Sequence, residues 1–286
     1  MQGKIINLTG GLYTVIDDES NIACKVRARG SFRHQNISPI VGDNVLFDSE
    51  MILKIIDRKN EFIRPKVANI DYAIIITPVY PKFSIDLLNN LLFVIEREYV
   101  EPIIVVSKCD LVDESELNKI KETLSYYERY YKVFYSSKKE TEKLDVFKSI
   151  LKDKISVFTG QTGAGKSFLL NRISPELKLA TQEISKALGR GKHTTREVTI
   201  YNVDHMYIAD SPGFSSIDLT LSKKMRPIID CFPEFKDRDD CKFNDCAHLA
   251  EPGCKVKELV ESGKASKERY DFYVKVLTNK DKPKEW

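Results

Sequence analysis

The chain has 286 residues, of which 42% are hydrophobic and 30% charged, and its formal net charge is only +3. That length allows two or three domains with a sizeable core, and the near-balanced charge gives no global electrostatic case for nucleic-acid binding. No apolar run approaches the roughly 18 residues of a membrane span, and the opening MQGKIINLTGG lacks the basic-then-apolar pattern of a secretion signal. A cytoplasmic protein with no membrane partner is expected.

Residues 1–66 are built from short β-type runs. GLYTVIDD, NIACKVRARG, GDNVLFD and MILKIIDR cluster β-branched and aromatic residues between Gly, Asp and Asn, which predicts a small β-barrel. Pattern alone does not separate an SH3-like barrel from an OB-fold. One stretch, CKVRARGSFRHQ, carries Lys25, Arg27, Arg29 and Arg33 with no acid; by itself it reads as a solvated strand face. KNEFIRPKVANID follows as a linker broken by Pro65.

Residues 67–222 change texture. Apolar strands DYAIIITPV, EPIIVVS, KVFYSS and KISVFTG alternate with amphipathic helices SIDLLNNLLFVIEREY, SELNKIKETLSYYERYY and KLDVFKSILKD, and HMYIADSPG is a further strand. This pattern predicts a doubly wound α/β domain with a parallel sheet covered on both faces and ligand loops at the strands' carboxyl ends. Residues 223–286 lose the alternation and read as a small α-rich domain, with VKELVESGK and ERYDFYVKVLTNK as helices, whose core is too thin to stand unaided.

Gly160, Gln161, Thr162, Gly163, Ala164, Gly165, Lys166 and Ser167 match the phosphate-loop pattern in full, after a strand and before a helix entered by Phe168. Converging N–H groups and the helix N-terminus suit phosphates, Lys166 the β- and γ-phosphates, and Ser167 a Mg²⁺ ion. About fifty residues on, Asp210 and Gly213 of DSPG suit the Mg²⁺ shell and the γ-phosphate. Between them GRGKHTTREV has the composition of a switch loop, in which Thr194 or Thr195 could close on Mg²⁺. Phe214 follows Gly213 and cannot orient an attacking water, which makes His193 the candidate for that work.

Upstream, VVSKCDL places Ser107, Lys108 and Asp110 after a strand. Asp110 would accept from the N1–H and exocyclic amine of guanine, a pattern adenine lacks. Ser136 and Ser137 end the next strand, where a loop beside the guanine oxygen would stand. Both signals favour GTP, in an order circularly permuted from the usual one. The loop holding Asp210 and Gly213 then leads straight into the C-terminal residues, so nucleotide state could be passed on mechanically.

Cys241-x4-Cys246-x-His248-x5-Cys254 supplies three thiols and an imidazole within fourteen residues. This set suits one closed, tetrahedral, structural zinc site, and metal binding would help a thin domain fold. Cys24, Cys109 and Cys231 are isolated, which is no disulfide framework.

SKCD, GQTGAGKS, GRGKHTTR, DSPGF, the RPKVANID linker and the cysteine cluster, in this order, resemble the RsgA family of circularly permuted bacterial GTPases. The resemblance covers all three segments. It implies an N-terminal OB-fold, a central GTPase domain and a C-terminal zinc-binding domain. It also implies GTP hydrolysis stimulated by the small ribosomal subunit, late in that subunit's maturation, by a monomer contacting 16S rRNA. Of the two switch threonines Thr195 is taken, with Ser167 and Asp210, for the Mg²⁺ shell; under the resemblance His193 acts in hydrolysis, and Lys25, Arg27, Arg29 and Arg33 become rRNA-backbone contacts. Ser107 departs from the Asn or Thr common there, which implies weaker positioning of the base. The competing readings are a P-loop kinase using ATP, and a module that holds GTP without turning it over.

Overall fold

The computed structural model describes residues 1–34, 37–62, 66–139, 143–174, 198–210 and 225–278. Five strands, β1 (Gln2–Thr9), β2 (Leu12–Asp17), β3 (Ala23–Ala28), β4 (Asn44–Phe47) and β5 (Met51–Ile55), close into a barrel in the order β1-β2-β3-β5-β4. Alternation drives it: Ile5, Val15, Val26, Val45, Phe47 and Ile52 point inward and are 1% exposed or less, while Lys25 and Arg27 flank Val26 on the outside. The closing strand β1 escapes a pattern search because its register shifts between Ile5 and Asn7. Gly3 adds to the disguise, for a Cβ there would stand 2.3 Å from the Ile16 carbonyl oxygen. A short helix α1 (Ser31–His34) follows β3.

The stretch expected as a plain linker is partly ordered. β6 (Glu61–Phe62) and β7 (Val67–Ala68) pair antiparallel, and Phe62, Val67, Ala68 and Ile70 are buried. Arg58 grips the fully buried Asp43 through Nε (2.7 Å) and Nη2 (2.8 Å) and also donates to the Ser38 carbonyl. Asn69 donates to the Gly42 carbonyl (2.9 Å), and Ile70 N–H donates to Asn60. Side-chain amides thereby satisfy backbone groups that a buried connection would leave orphaned.

The central layer is a six-stranded sheet ordered β10-β9-β8-β11-β13-β12. Its strands are β8 (Tyr72–Pro78), β9 (Glu101–Ser107), β10 (Lys132–Tyr135), β11 (Ile155–Gly160), β12 (Thr199–Val203) and β13 (Met206–Asp210). Five run parallel, but β12 is antiparallel to β13, so the sheet is mixed where a parallel one was expected. β12 is a short edge hairpin strand whose half-polar TIYNV carries little apolar signal.

Both faces are covered. Ala73, Ile75, Ile104 and Val106 pack on one side with Leu88, Leu92 and Ile95 of α2 (Ile85–Arg97) and Ile120 and Leu124 of α3 (Glu114–Ser125). Ile74, Ile76, Ile103 and Val105 pack on the other with Phe147 and Leu151 of α4 (Leu144–Leu151) and Leu169 and Ile173 of α5 (Lys166–Ile173). Ser84 caps α2 through Leu87 N–H and Asp113 caps α3 through Glu116 N–H. The long helix expected over residues 115–131 stops at Ser125, and a 3-10 turn at Tyr127–Arg129 takes over.

Residues 225–278 form two 3-10 segments, Ile228–Cys231 and Pro233–Asp240, then α6 (Lys255–Glu261) and α7 (Lys267–Thr278). Their core of Phe232, Phe235, Val256, Phe272 and Tyr273 is completed by Phe93 of α2. Arg269 is the pin. It is 1% exposed, pairs with the equally buried Glu234 at 2.6 Å, donates to Asn89 of α2 (3.2 Å), and lies 4.7 Å over the Phe232 ring. Asn89 also accepts from the Tyr127 hydroxyl (2.8 Å), which ties the 3-10 turn into the same network.

A buried pair of this kind punishes removal of one partner, since the other charge is left uncompensated. Arg269→Ala is expected to lower stability by about 3–5 kcal/mol and to expose residues 225–278 to protease before the sheet domain. Urea unfolding and limited proteolysis check this; an unchanged midpoint would show that Glu234 finds water instead.

Candidate nucleotide site and metal cluster

The carboxyl ends of β9, β10, β11 and β13 lie along one edge of the sheet, as sheet order dictates. Gly160 ends β11 with φ 135°, and a Cβ there would come within 2.2 Å of the Ile76 carbonyl oxygen, so only glycine fits this turn beside β8. The loop from Gln161 through Gly165 then enters α5, with Gly165 as its N-cap. Lys166 curls back over the loop, donating to the carbonyls of Gly160 (2.6 Å) and Gln161 (3.1 Å). Burial holds its ammonium below the ordinary lysine value. Gln161, Thr162, Gly163, Ser167 and Phe168 are exposed along this edge.

Ser107 joins the two loops. It is 6% exposed, and its Oγ donates to the Ala164 carbonyl at 2.5 Å, across 57 residues of sequence. The serine therefore makes a direct tie to the phosphate loop. Lys108 takes φ 62° and reaches the Tyr80 carbonyl at 3.5 Å. Asp110 is exposed, and its Oδ1 accepts from Lys138 N–H at 3.2 Å. Ser136 is stitched to the same loop, its N–H donating to Val106 O (2.7 Å) and its carbonyl accepting from Cys109 N–H (3.1 Å).

Arg172, in the last turn of α5, donates to the Ser137 carbonyl and lies 5.6 Å over the Phe168 ring. Nothing in the sequence singles it out, since its partner is 35 residues away. Asp210 is the last residue of β13, next to β11, and so stands at the edge that carries the phosphate loop. His193, Thr194, Thr195, Gly213 and Phe214 lie outside the described residues.

Away from this edge, donor atoms of Cys241, Cys246, His248 and Cys254 lie within 4.8 Å of one another. His248 Nδ1 faces Cys241 and Cys254 Sγ at 3.6 and 3.5 Å. Burial lowers the imidazole's proton affinity, which favours the neutral form that a metal ligand needs. The loop is braced from outside. Glu251 accepts from the N–H groups of Ala247, Leu249 and Ala250, and backbone donors of this kind hold its carboxyl down at about 2. The Tyr270 hydroxyl donates to His248 O (2.6 Å) and that of Tyr273 to Ala247 O (2.9 Å). Four converging N and S donors with a supported scaffold fit a tetrahedral ion.

Lys25, Arg27 and Arg29 are exposed along the outer face of β3 and just beyond it, and Arg33 stands on α1. Among the described residues no helix is long and apolar enough to cross a membrane.

A phosphate loop, a Lys-x-Asp loop tied to it and a permuted strand order define a P-loop nucleotide-binding protein. The family model described as RsgA GTPase matches residues 55–220, and that for the RsgA N-terminal domain matches residues 2–52. The chain belongs to the RsgA GTPase family and is a GTPase.

Among its relatives, the small ribosomal subunit biogenesis GTPase RsgA of Bacillus cereus is 43% identical over 284 residues, covering 95% of this chain and 94% of its own. That of Halalkalibacterium halodurans is 42% identical, covering 96% of each. YjeQ from Thermotoga maritima superposes with a TM-score of 0.81 at 32% identity over 97% of both chains. YloQ, described as a circularly permuted GTPase, gives 0.79 at 34% identity over 99% of this chain and 96% of its own.

Stripping metal from the chain with a strong chelator is expected to loosen residues 241–278 while the sheet stays folded. Hydrogen exchange would show new opening confined to that segment; no change on chelation would mean that the loop's own hydrogen bonds suffice.

Proposed function

We propose that this chain hydrolyses GTP while bound to the small ribosomal subunit, late in that subunit's assembly; its relatives are named small ribosomal subunit biogenesis GTPases. The observation that supports this most is the joining of a complete phosphate loop to a Lys-x-Asp loop through Ser107 and Ala164.

In this reading the backbone N–H groups from Gln161 to Phe168 cradle the phosphates, and Lys166 leaves its carbonyls to neutralise the β- and γ-phosphates. Asp110 reads the guanine edge, Lys108 lies along the base, and Ser136 and Ser137 border its oxygen. A Mg²⁺ ion bound with GTP would be held by Ser167, Thr195 and Asp210 and would offset phosphate charge. Gly213 N–H meets the γ-phosphate, and His193 orients the attacking water in place of Phe214.

The Cys241, Cys246, His248 and Cys254 set holds one structural zinc, with no protein position left open for catalysis. Lys25, Arg27, Arg29 and Arg33 contact the 16S rRNA backbone, the protein works as a monomer in the cytoplasm, and subunit binding weakens steeply with salt.

Turnover measured with GTP and with ATP, each with and without purified small subunits, tests the reading. GTP hydrolysis should rise at least tenfold with subunits and vanish in Lys166→Ala, a loss of phosphate neutralisation worth about that much or more. ATP-dependent transfer to an acceptor, or GTP turnover indifferent to subunits, would contradict it.

A further inference from the structure

Asp110 can select guanine only if its carboxylate is held in one orientation, yet it is an exposed side chain at the end of a strand. Its orienting partner is the backbone N–H of Lys138, in the loop after β10. That loop continues a strand at the edge of the sheet: among the described residues β10 pairs with β9 alone. Backbone bonds at Ser136 fix the loop's start to β9 and the Asp110 loop, but neither of them reaches the phosphate loop.

The anchor comes from the other side. Arg172 rises from the last turn of α5, the helix that the phosphate loop opens, and donates to the Ser137 carbonyl, one residue before Lys138. Its guanidinium also lies against Phe168, the third residue of that helix, so its direction is preset by an i,i+4 contact. Ser107 makes the corresponding tie on the near side, to Ala164. The base-reading loops are thus fastened to the phosphate-binding element twice, once from β9 and once from α5.

We propose that Arg172 is a positioning residue for guanine selectivity: it locks the Ser136–Lys138 loop to the phosphate-binding helix and so fixes the carboxylate of Asp110. This rests on the reading of Asp110 as the guanine reader given above. In this role Arg172 acts through the loop and not on the nucleotide itself. Its effect passes through Ser137 and the Lys138 N–H, so it acts on discrimination among bases more than on phosphate affinity.

The test uses the full chain and two nucleotides, GDP and IDP, the second lacking the 2-amino group that Asp110 would hold. Arg172→Met keeps the aliphatic stem on Phe168 and removes every donor, and Arg172→Lys restores one. In Arg172→Met the affinity for GDP should fall by about three- to tenfold, the scale of one lost hydrogen bond to a positioned group. Affinity for IDP should fall much less, so the GDP-to-IDP ratio narrows. Arg172→Lys should recover a good part of the ratio, and thermal melting should show all three proteins folded.

If the wild type prefers GDP and Arg172→Met weakens both nucleotides equally, or neither, the proposal is overturned and the guanine reading stands. A wild type that does not distinguish GDP from IDP overturns the guanine reading of Asp110, and this proposal with it.

Discussion

Parallel pairing of β9 and β11 on either side of β8 is the constraint from which the site follows. Ser107 pairs with Pro78, and Gly160 pairs with Ile76, two residues back on the same strand. Strands lie about 4.8 Å apart, so the two loops leave the sheet roughly 10 Å from each other, within reach of one bridging contact. The Ser107–Ala164 hydrogen bond closes that distance. The near-continuous isoleucine and valine of these three strands, buried on both faces, set the register that this closure needs. Chain order does not enter. A permuted GTPase keeps its site because strand adjacency is preserved, whichever segment is made first.

The permutation moves the consequence elsewhere. With β13 last in the sheet, the chain leaves the nucleotide edge and re-enters the described structure at residues 225–226, where Arg226 N–H donates to the carbonyl of Arg97 and its side chain pairs with Glu96. The C-terminal unit is thus seated on α2, a helix that packs directly against the central strands. Arg269, Glu234, Asn89 and Tyr127 make that seat specific as well as apolar, since each polar group there is matched to a particular partner. A thin helical unit gains from α2 what its own core lacks.

The two ends of the molecule differ in how much of them could be read from residues alone. The phosphate loop, the Lys-x-Asp loop and the cysteine cluster are local spacings with fixed chemistry, and the structure brings Ser107 to Ala164 and the four metal donors together. Barrel strands β2 to β5 follow from alternation. What was not legible is long-range or irregular. β1 is masked by its bulge, β12 by its half-polar sequence, and the buried Arg269–Glu234 pair by a separation of 35 residues in sequence, each partner looking like ordinary surface charge. Arg172 belongs to the same class: its partner is a backbone carbonyl, which no side-chain pattern announces.

Base selectivity through Asp110 is the central claim. Changing Asp110→Asn turns a double acceptor into a group that both accepts and donates, which matches xanthine at the positions where it no longer matches guanine. Competition binding of GDP and XDP to the full-length variant measures this directly. The account predicts that preference swings from GDP toward XDP while phosphate-loop contacts stay intact. A variant that still prefers GDP as the wild type does would contradict it.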